Sequence, residues 1–213
     1  MNVQVWSDYI CPWCYLGRDR TAYLRSLGVT VTELPFELHP ELPATGRTVR
    51  PDGRLAAVHE LIARECAAVG LPFRAPQRIP NSRRALEVAA AARVVFPDAF
   101  AALDAALFAA HFVEGRAIDD DQVLAALVEA AGAPWDAVAA AVDEGVGRAA
   151  AAASMAIASE HNITGTPAWL FEEQLVVPGV QPRELFARVV TRLRARAGES
   201  PAGPGRTTGT RGA

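Results

Sequence analysis

Two cysteines set three positions apart are the first residues in this chain whose spacing could do chemistry. Cys11-Pro12-Trp13-Cys14 is a C-x-x-C, and the third cysteine, Cys66, stands well apart from it. Such a pair exchanges disulfides when the first sulfur is held as a thiolate and the second can reach it. If Cys11 is the N-cap of a helix and Pro12 its first residue, the Cys11 sulfur faces the unpaired N–H groups of the first turn. The helix dipole adds positive potential there. Both favour thiolate, and Pro12 sacrifices no hydrogen bond at that position. Cys11 is therefore expected to be the exposed, attacking sulfur. Cys14, one turn inside the helix, is expected to resolve a mixed disulfide. Half of a zinc site and an inert pair are the rival readings. Zinc normally takes four ligands, and Cys66, His39, His59, His111 and His161 are far apart in sequence, so no metal is expected. Pro12-Trp13 offers no histidine to tune the thiolate, which leaves the direction of electron flow open.

The elements around the motif suit that chemistry. Residues 2–9 hold a short β-type run that leads straight into Cys11. A helical pattern follows, with Leu16, Tyr23, Leu24 and Leu27 apolar and Gly28 as its C-cap. Residues 29–38, rich in β-branched types, read as a second strand. Strand, helix, strand predicts two parallel strands joined by a right-handed crossover. Residues 40–54 look like a loop leaving the sheet. Helices are predicted near 55–69, 82–95, 97–111, 119–131 and 134–157, separated by Gly- and Pro-containing breaks. Strand character returns at 168–171 and 174–178, with Glu172-Glu173 as a tight turn. A last amphipathic helix is predicted over 182–196. The order is βαβ, a helical stretch, then ββα. We divide the chain into a thioredoxin-like domain of 1–40 and 159–196, an inserted all-helical domain of 41–158, and a disordered tail of 197–213.

Composition narrows the classes of function. With 51% apolar and 21% charged residues, the chain is globular rather than disordered. A net charge of −3 argues against a nucleic-acid partner. Every basic residue is arginine, which we read as coding bias without functional meaning. No apolar stretch is long enough for a membrane span, and the N-terminus lacks the features of a signal peptide. A cytoplasmic residence is expected. In that compartment three cysteines point to catalysis, metal binding or burial rather than a structural disulfide framework.

Several segments together carry a family resemblance. They are Asp8-Tyr9-Ile10-Cys11-Pro12-Trp13-Cys14-Tyr15-Leu16-Gly17, Phe36-Glu37-Leu38-His39-Pro40, Pro80-Asn81-Ser82 with Ala85-Leu86, Gly165-Thr166-Pro167, and Pro178-Gly179-Val180-Gln181. On these the chain resembles the DsbA family of thiol–disulfide oxidoreductases, and within it the FrnE-like branch. The resemblance implies an α/β, thioredoxin-like fold with an inserted helical domain and a disulfide-exchange activity. It implies that Pro167 is cis and that its loop faces the C-x-x-C. Thr166 could then pair through its backbone with an extended substrate. Taken alone, Thr166-Pro167 would read as an ordinary turn. Glutathione-dependent isomerases and transferases of the 2-hydroxychromene-2-carboxylate isomerase and kappa type share the layout but usually carry serine at the first motif position. Both cysteines here favour an oxidoreductase.

The expected site therefore has Cys11 and Cys14 as catalytic residues, and Pro12, Trp13, Thr166 and Pro167 as substrate-binding residues. The expected partner is a thiol or disulfide substrate, with no organic cofactor and with glutathione or another thiol as a candidate co-substrate. The chain would be a monomer or homodimer. Trp13 either touches substrate or packs over the insert. Cys66 lies on an apolar helix stripe and reads as core. His39 is placed at the end of the second strand, either tuning Cys11 or serving the loop. Ser82 reads as a helix N-cap, with a substrate or glutathione contact as the alternative. Asp8 and Tyr15 flank the motif without an assigned role. A non-catalytic binding module on the same fold is the remaining rival.

Overall fold

The structure, a computed structural model, describes residues 1–50 and 53–198. The expected disordered tail lies outside the described residues from 199 onward. In chain order the elements are β1 (Asn2–Ser7), α1 (Pro12–Ser26), β2 (Thr30–Pro35), β3 (Arg47–Thr48), α2 (Arg54–Ala68), β4 (Arg78–Ile79), α3 (Arg83–Val95) and α4 (Pro97–Ala109). Then come α5 (Asp121–Ala130), α6 (Trp135–Asp143), α7 (Val146–Glu160), β5 (Ala168–Phe171), β6 (Leu175–Pro178) and α8 (Arg183–Arg196). A single π turn, Ala110–Glu114, prolongs α4.

The main sheet has the order β2-β1-β5-β6. β1 pairs parallel with β2 and antiparallel with β5, which pairs antiparallel with β6. Alternation along the strands sends side chains to two covered faces. Val3, Val5, Trp169 and Phe171 pack with Leu24 of α1 and with Phe186 and Val190 of α8. Trp6, Ala168 and Leu170 pack on the opposite face with Ala158 of α7. This is the thioredoxin-like arrangement expected from the order of elements.

The inserted helices gather around α3, whose buried face includes Ala85, Ala89, Ala90, Ala91 and Ala92. Small side chains let neighbouring helices approach closely. The predicted single helix over 134–157 is in fact two, α6 and α7. Gly145 breaks it in the left-handed region, at φ 85°, where only glycine is free of strain. Two residues on, Gly147 abuts the α3 backbone so closely that a Cβ would lie 2.1 Å from the Glu87 carbonyl oxygen. The domain boundary expected at 158/159 falls within the last turn of α7. That helix packs on α3 and also covers the sheet.

Other boundaries moved for local reasons. β1 ends at Ser7 rather than at residue 9, because Asp8 starts a turn in which the Cys11 N–H donates to the Asp8 carbonyl, 3.1 Å. β2 ends at Pro35, so His39 stands beyond the strand rather than at its end. β3 and β4 pair Arg47 with Ile79 and Thr48 with Arg78. Two-residue strands in Pro- and Gly-rich surroundings leave no periodicity to detect.

Candidate active site

The site is built where β1 hands over to α1. Cys11 is the N-cap of α1 with extended backbone, φ −86° and ψ 112°, and Pro12 opens the helix. The Cys14 and Tyr15 N–H groups donate to the Cys11 carbonyl at 3.0 and 3.1 Å. This is the placement the sequence predicts, with the Cys11 sulfur at the positive end of the helix. Across from it lies the Thr166–Pro167 peptide, which is cis. The Cys11 thiol is 3.7 Å from the Thr166 carbonyl oxygen, its acceptor. The far side of that loop is tied to the end of β6, where the Gly179 N–H donates to the Pro167 carbonyl, 2.8 Å. Gly17 permits the approach of α1, since a Cβ there would lie 3.2 Å from the Trp169 ring.

The two sulfurs are electrostatically unlike. The Cys14 thiol donates towards Cys11 and, with the Cys14 backbone N–H and the Thr166 side chain rather than its carbonyl, holds the Cys11 thiol below its ordinary range. Burial and the Asp8 charge oppose this without reversing it. Cys14 is pushed well above the ordinary thiol range by burial and by its neighbour Cys11. Both cysteines are free. One expectation needs correction: Cys11 is only 3% exposed. In this dithiol state its sulfur turns inward to the Thr166 carbonyl instead of standing open to solvent.

Beneath the motif is a group the sequence left without a role. Asp8 is completely buried. Its carboxylate accepts from the Ile10 N–H (3.2 Å), the Leu38 N–H (2.8 Å) and the Ser82 hydroxyl (3.0 Å). It thereby ties together the active-site turn, the chain beyond β2 and the start of α3. Burial raises its pKa to about 6, against the lowering effect of those hydrogen bonds. Ser82 is thus not the side-chain cap it was expected to be. The capping oxygen is that of Asn81, which accepts from the Arg83 N–H at 3.0 Å, while its amide donates to the Leu42 carbonyl.

A cleft of about 110 Å³ reaches Cys14 and Pro167 from the side of α1 and α4. Asp104 of α4 lines it, accepting from Arg18 at 2.5 Å and from the Tyr9 hydroxyl at 3.2 Å. The Arg18 guanidinium also lies over the Phe108 ring, 5.3 Å from its centroid. Burial raises the Asp104 pKa, against the pull of Arg18. Sequence reasoning missed this group. Its signal was a lone acid amid Leu103, Leu107 and Phe108 on the buried face of α4.

The remaining candidates separate. Trp13 is half-buried and packs against the helical core. Tyr15 donates to the Pro72 carbonyl (2.5 Å), and its ring contacts Phe73, Phe108 and Phe112. His39 is exposed and pairs with Glu41 at 3.0 Å; it is the neighbouring Leu38 N–H that reaches the site. Cys66 is fully buried, and burial pushes its thiol up to about 11. Among the described residues no three His, Cys, Asp or Glu side chains are grouped to hold a metal.

Known proteins share this fold. The sequence model of the DSBA-like thioredoxin domain matches residues 2–191. No curated protein matches the chain. Among solved structures, a probable DsbA oxidoreductase from Streptomyces coelicolor superposes with a TM-score of 0.82 at 24% identity, covering 97% of this chain and 94% of that one. The cytosolic disulfide reductase DsbM from Pseudomonas aeruginosa gives 0.67 at 24% identity over 92% and 100%, and it has also been solved with GSH. A 2-hydroxychromene-2-carboxylate isomerase gives 0.75 at 20% identity over 93% and 98%. These similarities establish the fold.

Proposed function

Because the chain belongs to the DSBA-like thioredoxin domain family, we propose that it is a dithiol–disulfide oxidoreductase in which Cys11 attacks and Cys14 resolves. One observation carries the reading: a low-pKa thiol caps α1 beside the cis Thr166–Pro167 peptide, with a high-pKa thiol one turn behind it. In reduction, the Cys11 thiolate attacks one sulfur of a substrate disulfide and the other sulfur leaves as a thiolate. Cys14 then gives up its proton and attacks the Cys11 sulfur of the mixed disulfide. The second substrate sulfur leaves, and two electrons have passed from the enzyme dithiol to the substrate. Oxidation of a dithiol substrate is the same sequence reversed. Pro12 and Trp13 border the attacking sulfur. Thr166 and Pro167 orient the substrate, whose backbone replaces the Cys11 thiol at the Thr166 carbonyl.

Trapping tests the assignment. Cys14→Ser is expected to accumulate mixed disulfides on Cys11, and Cys11→Ser to abolish reduction of a model disulfide. Adducts on Cys66 in the Cys14→Ser protein would overturn the roles. The likeness to the isomerase supports a second reading, a glutathione-dependent reaction at the same cysteine. That activity would survive Cys14→Ser, whereas disulfide cycling would not. A cytoplasmic site of action and a thiol such as glutathione as co-substrate complete the proposal. The name of the cytosolic reductase and its GSH complex support both.

A further inference from the structure

The exchange chemistry leaves one ionisable group beside the sulfurs unused. Asp8 is 0% exposed, and its carboxylate takes three donors, the N–H groups of Ile10 and Leu38 and the Ser82 hydroxyl. No cation lies within ion-pair distance of it among the described residues. The other acids nearby are matched: Asp104 has Arg18 at 2.5 Å, and Glu37 has Arg83 at 3.0 Å. Burying a carboxylate without a counter-charge is unfavourable even when hydrogen bonds satisfy its oxygens. The three donors account for the oxygens of Asp8 and leave its charge unopposed.

That charge bears on the reacting sulfurs. The Cys11 N–H donates to the Asp8 carbonyl at 3.1 Å and the Ile10 N–H to its carboxylate, so Asp8 is folded into the same turn as the attacking sulfur. The Asp8 main chain also supplies a hydrogen bond to the Cys14 sulfur. Cys14 and Thr166 favour the Cys11 thiolate, whereas burial and the Asp8 charge work against it. The groups that face Asp8 are Cys11 and Cys14 from α1, Glu37 from the chain beyond β2, and Ser82 at the start of α3. Burial, with a smaller push from Glu37 and against the three hydrogen bonds, raises Asp8 to about 6. The carboxyl is ionised above that pH and neutral below it.

We propose that Asp8 is a positioning residue that sets the direction of electron flow: its buried negative charge opposes the Cys11 thiolate and so biases the pair towards reducing a substrate disulfide. This deepens the proposed exchange and rests on Cys11 being the attacking sulfur. The reduced pair carries a negative charge on Cys11 and a proton on Cys14. When it reduces a disulfide, the Cys11–Cys14 bond forms, the substrate S–S bond breaks and two electrons pass to the substrate. One substrate sulfur leaves as a thiolate, and the other takes up the proton that Cys14 gives up. The enzyme disulfide is neutral. Ionised Asp8 therefore raises the free energy of the dithiol form alone, and a destabilised thiolate makes the disulfide less oxidising. Pro12-Trp13 carries no charge that could do this; Asp8 does it from three positions upstream. Below its ionisation range Asp8 is neutral and the bias disappears.

The reduction potential of the Cys11–Cys14 pair, measured against glutathione redox buffers in wild type and Asp8→Asn, tests this. At about pH 8, where Asp8 is ionised, Asp8→Asn is expected to be the more oxidising by about tenfold in the equilibrium constant with glutathione, roughly 30 mV. At about pH 5, where Asp8 is protonated, the two potentials are expected to converge. A merely structural change would displace the potential by the same amount at both pH values. If Asp8→Asn does not fold, Asp8→Ser, also uncharged and smaller, takes its place. A difference that is equal at both pH values, absent on the alkaline side, or of opposite sign would overturn the role of the Asp8 charge and leave exchange at Cys11 intact. A wild-type pair that never equilibrates with glutathione would overturn the exchange reading itself, and this inference with it.

Discussion

Asp8 shows how one side chain can govern a site without belonging to its motif. Its three acceptor bonds join segments that the sequence sets far apart. Its pKa rises on folding from 3.8 to about 6, so the folded chain disfavours the ionised form. The folded protein therefore holds the proton more tightly over that interval, and stability falls as pH climbs through it. The shift corresponds to about 3 kcal/mol. Asp8→Asn removes the titration. The stability of wild type relative to Asp8→Asn, from urea melts, is expected to fall by up to that amount between about pH 4 and pH 7; a flat difference would place Asp8 outside this linkage. Cys66 makes the opposite case, a thiol with no chemistry to do. Its burial and raised pKa leave almost no thiolate near neutrality. Iodoacetamide at about pH 8, the ordinary thiol range, is expected to label Cys11 in the folded protein and to reach Cys66 only after denaturation, as peptide mapping will show.

At the scale of elements, the junction of α6, α7 and α3 is the most constrained part of the inserted helices. The contact between Gly147 and Glu87 is with backbone, which cannot rotate away as a side chain would. Gly147→Ala must push α7 off α3 and is expected to cost about 2 kcal/mol, in the range of overpacking mutations. At Gly145 a Cβ would meet open space, so only the left-handed backbone is penalised. Gly145→Ala is expected to cost about 1 kcal/mol. A thermal melt in which the two variants were equal would mean that α7 yields more than the contact allows. α4 has two jobs. Leu103, Leu107 and Phe108 bury its face in the helical core, while Asp104 between them turns to Arg18 and Tyr9 beside the site. The inserted helices therefore form one wall of the cleft that reaches Cys14.

Across the whole molecule, α7 makes the inserted helices and the sheet depend on each other. It packs on α3 at one end and contributes Ala158 to the core beneath Trp6 and Leu170 at the other. Unfolding followed by tryptophan fluorescence in a Trp13→Phe, Trp135→Phe background, where the remaining Trp6 and Trp169 report on the sheet, is expected to coincide with the loss of helical circular dichroism. Separate transitions would mean that the two parts come apart independently. On the other face, Phe186 of α8 is fully buried, edge-on to Trp169 at 5.0 Å. Phe186→Ala is expected to cost 3 to 5 kcal/mol, roughly the usual loss for a large core aromatic, and to lower the urea midpoint accordingly.

Much of this was legible without coordinates, because the signals are local. Pro12 after Cys11, Gly28 after a helical stripe and two short β-branched runs state which backbone each segment prefers. Their order implies the parallel pairing of β1 with β2. The positions of the cysteines on α1 follow from the same rules. Features that depend on which faces meet were not legible. Ser82 looks like a helix cap whether its hydroxyl meets its own backbone or Asp8. His39 and Leu38 are adjacent, and nothing in their types says that the N–H of the second serves the site while the ring of the first turns to Glu41. The predicted helix over 134–157 hid a break whose cause, a left-handed glycine followed by one against α3, is tertiary. By itself the sequence determined the order of elements and the placement of Cys11 at the cap of α1 with Cys14 one turn inside it, since both follow from interactions within a few residues. Only the tertiary structure decided that the Thr166 carbonyl meets the Cys11 sulfur, that Asp8 holds the turn beneath it, that Asp104 lines the cleft reaching Cys14, and that Cys11 is buried there. Those contacts join distant parts of the chain, and each is settled by the packing of whole helices against the sheet.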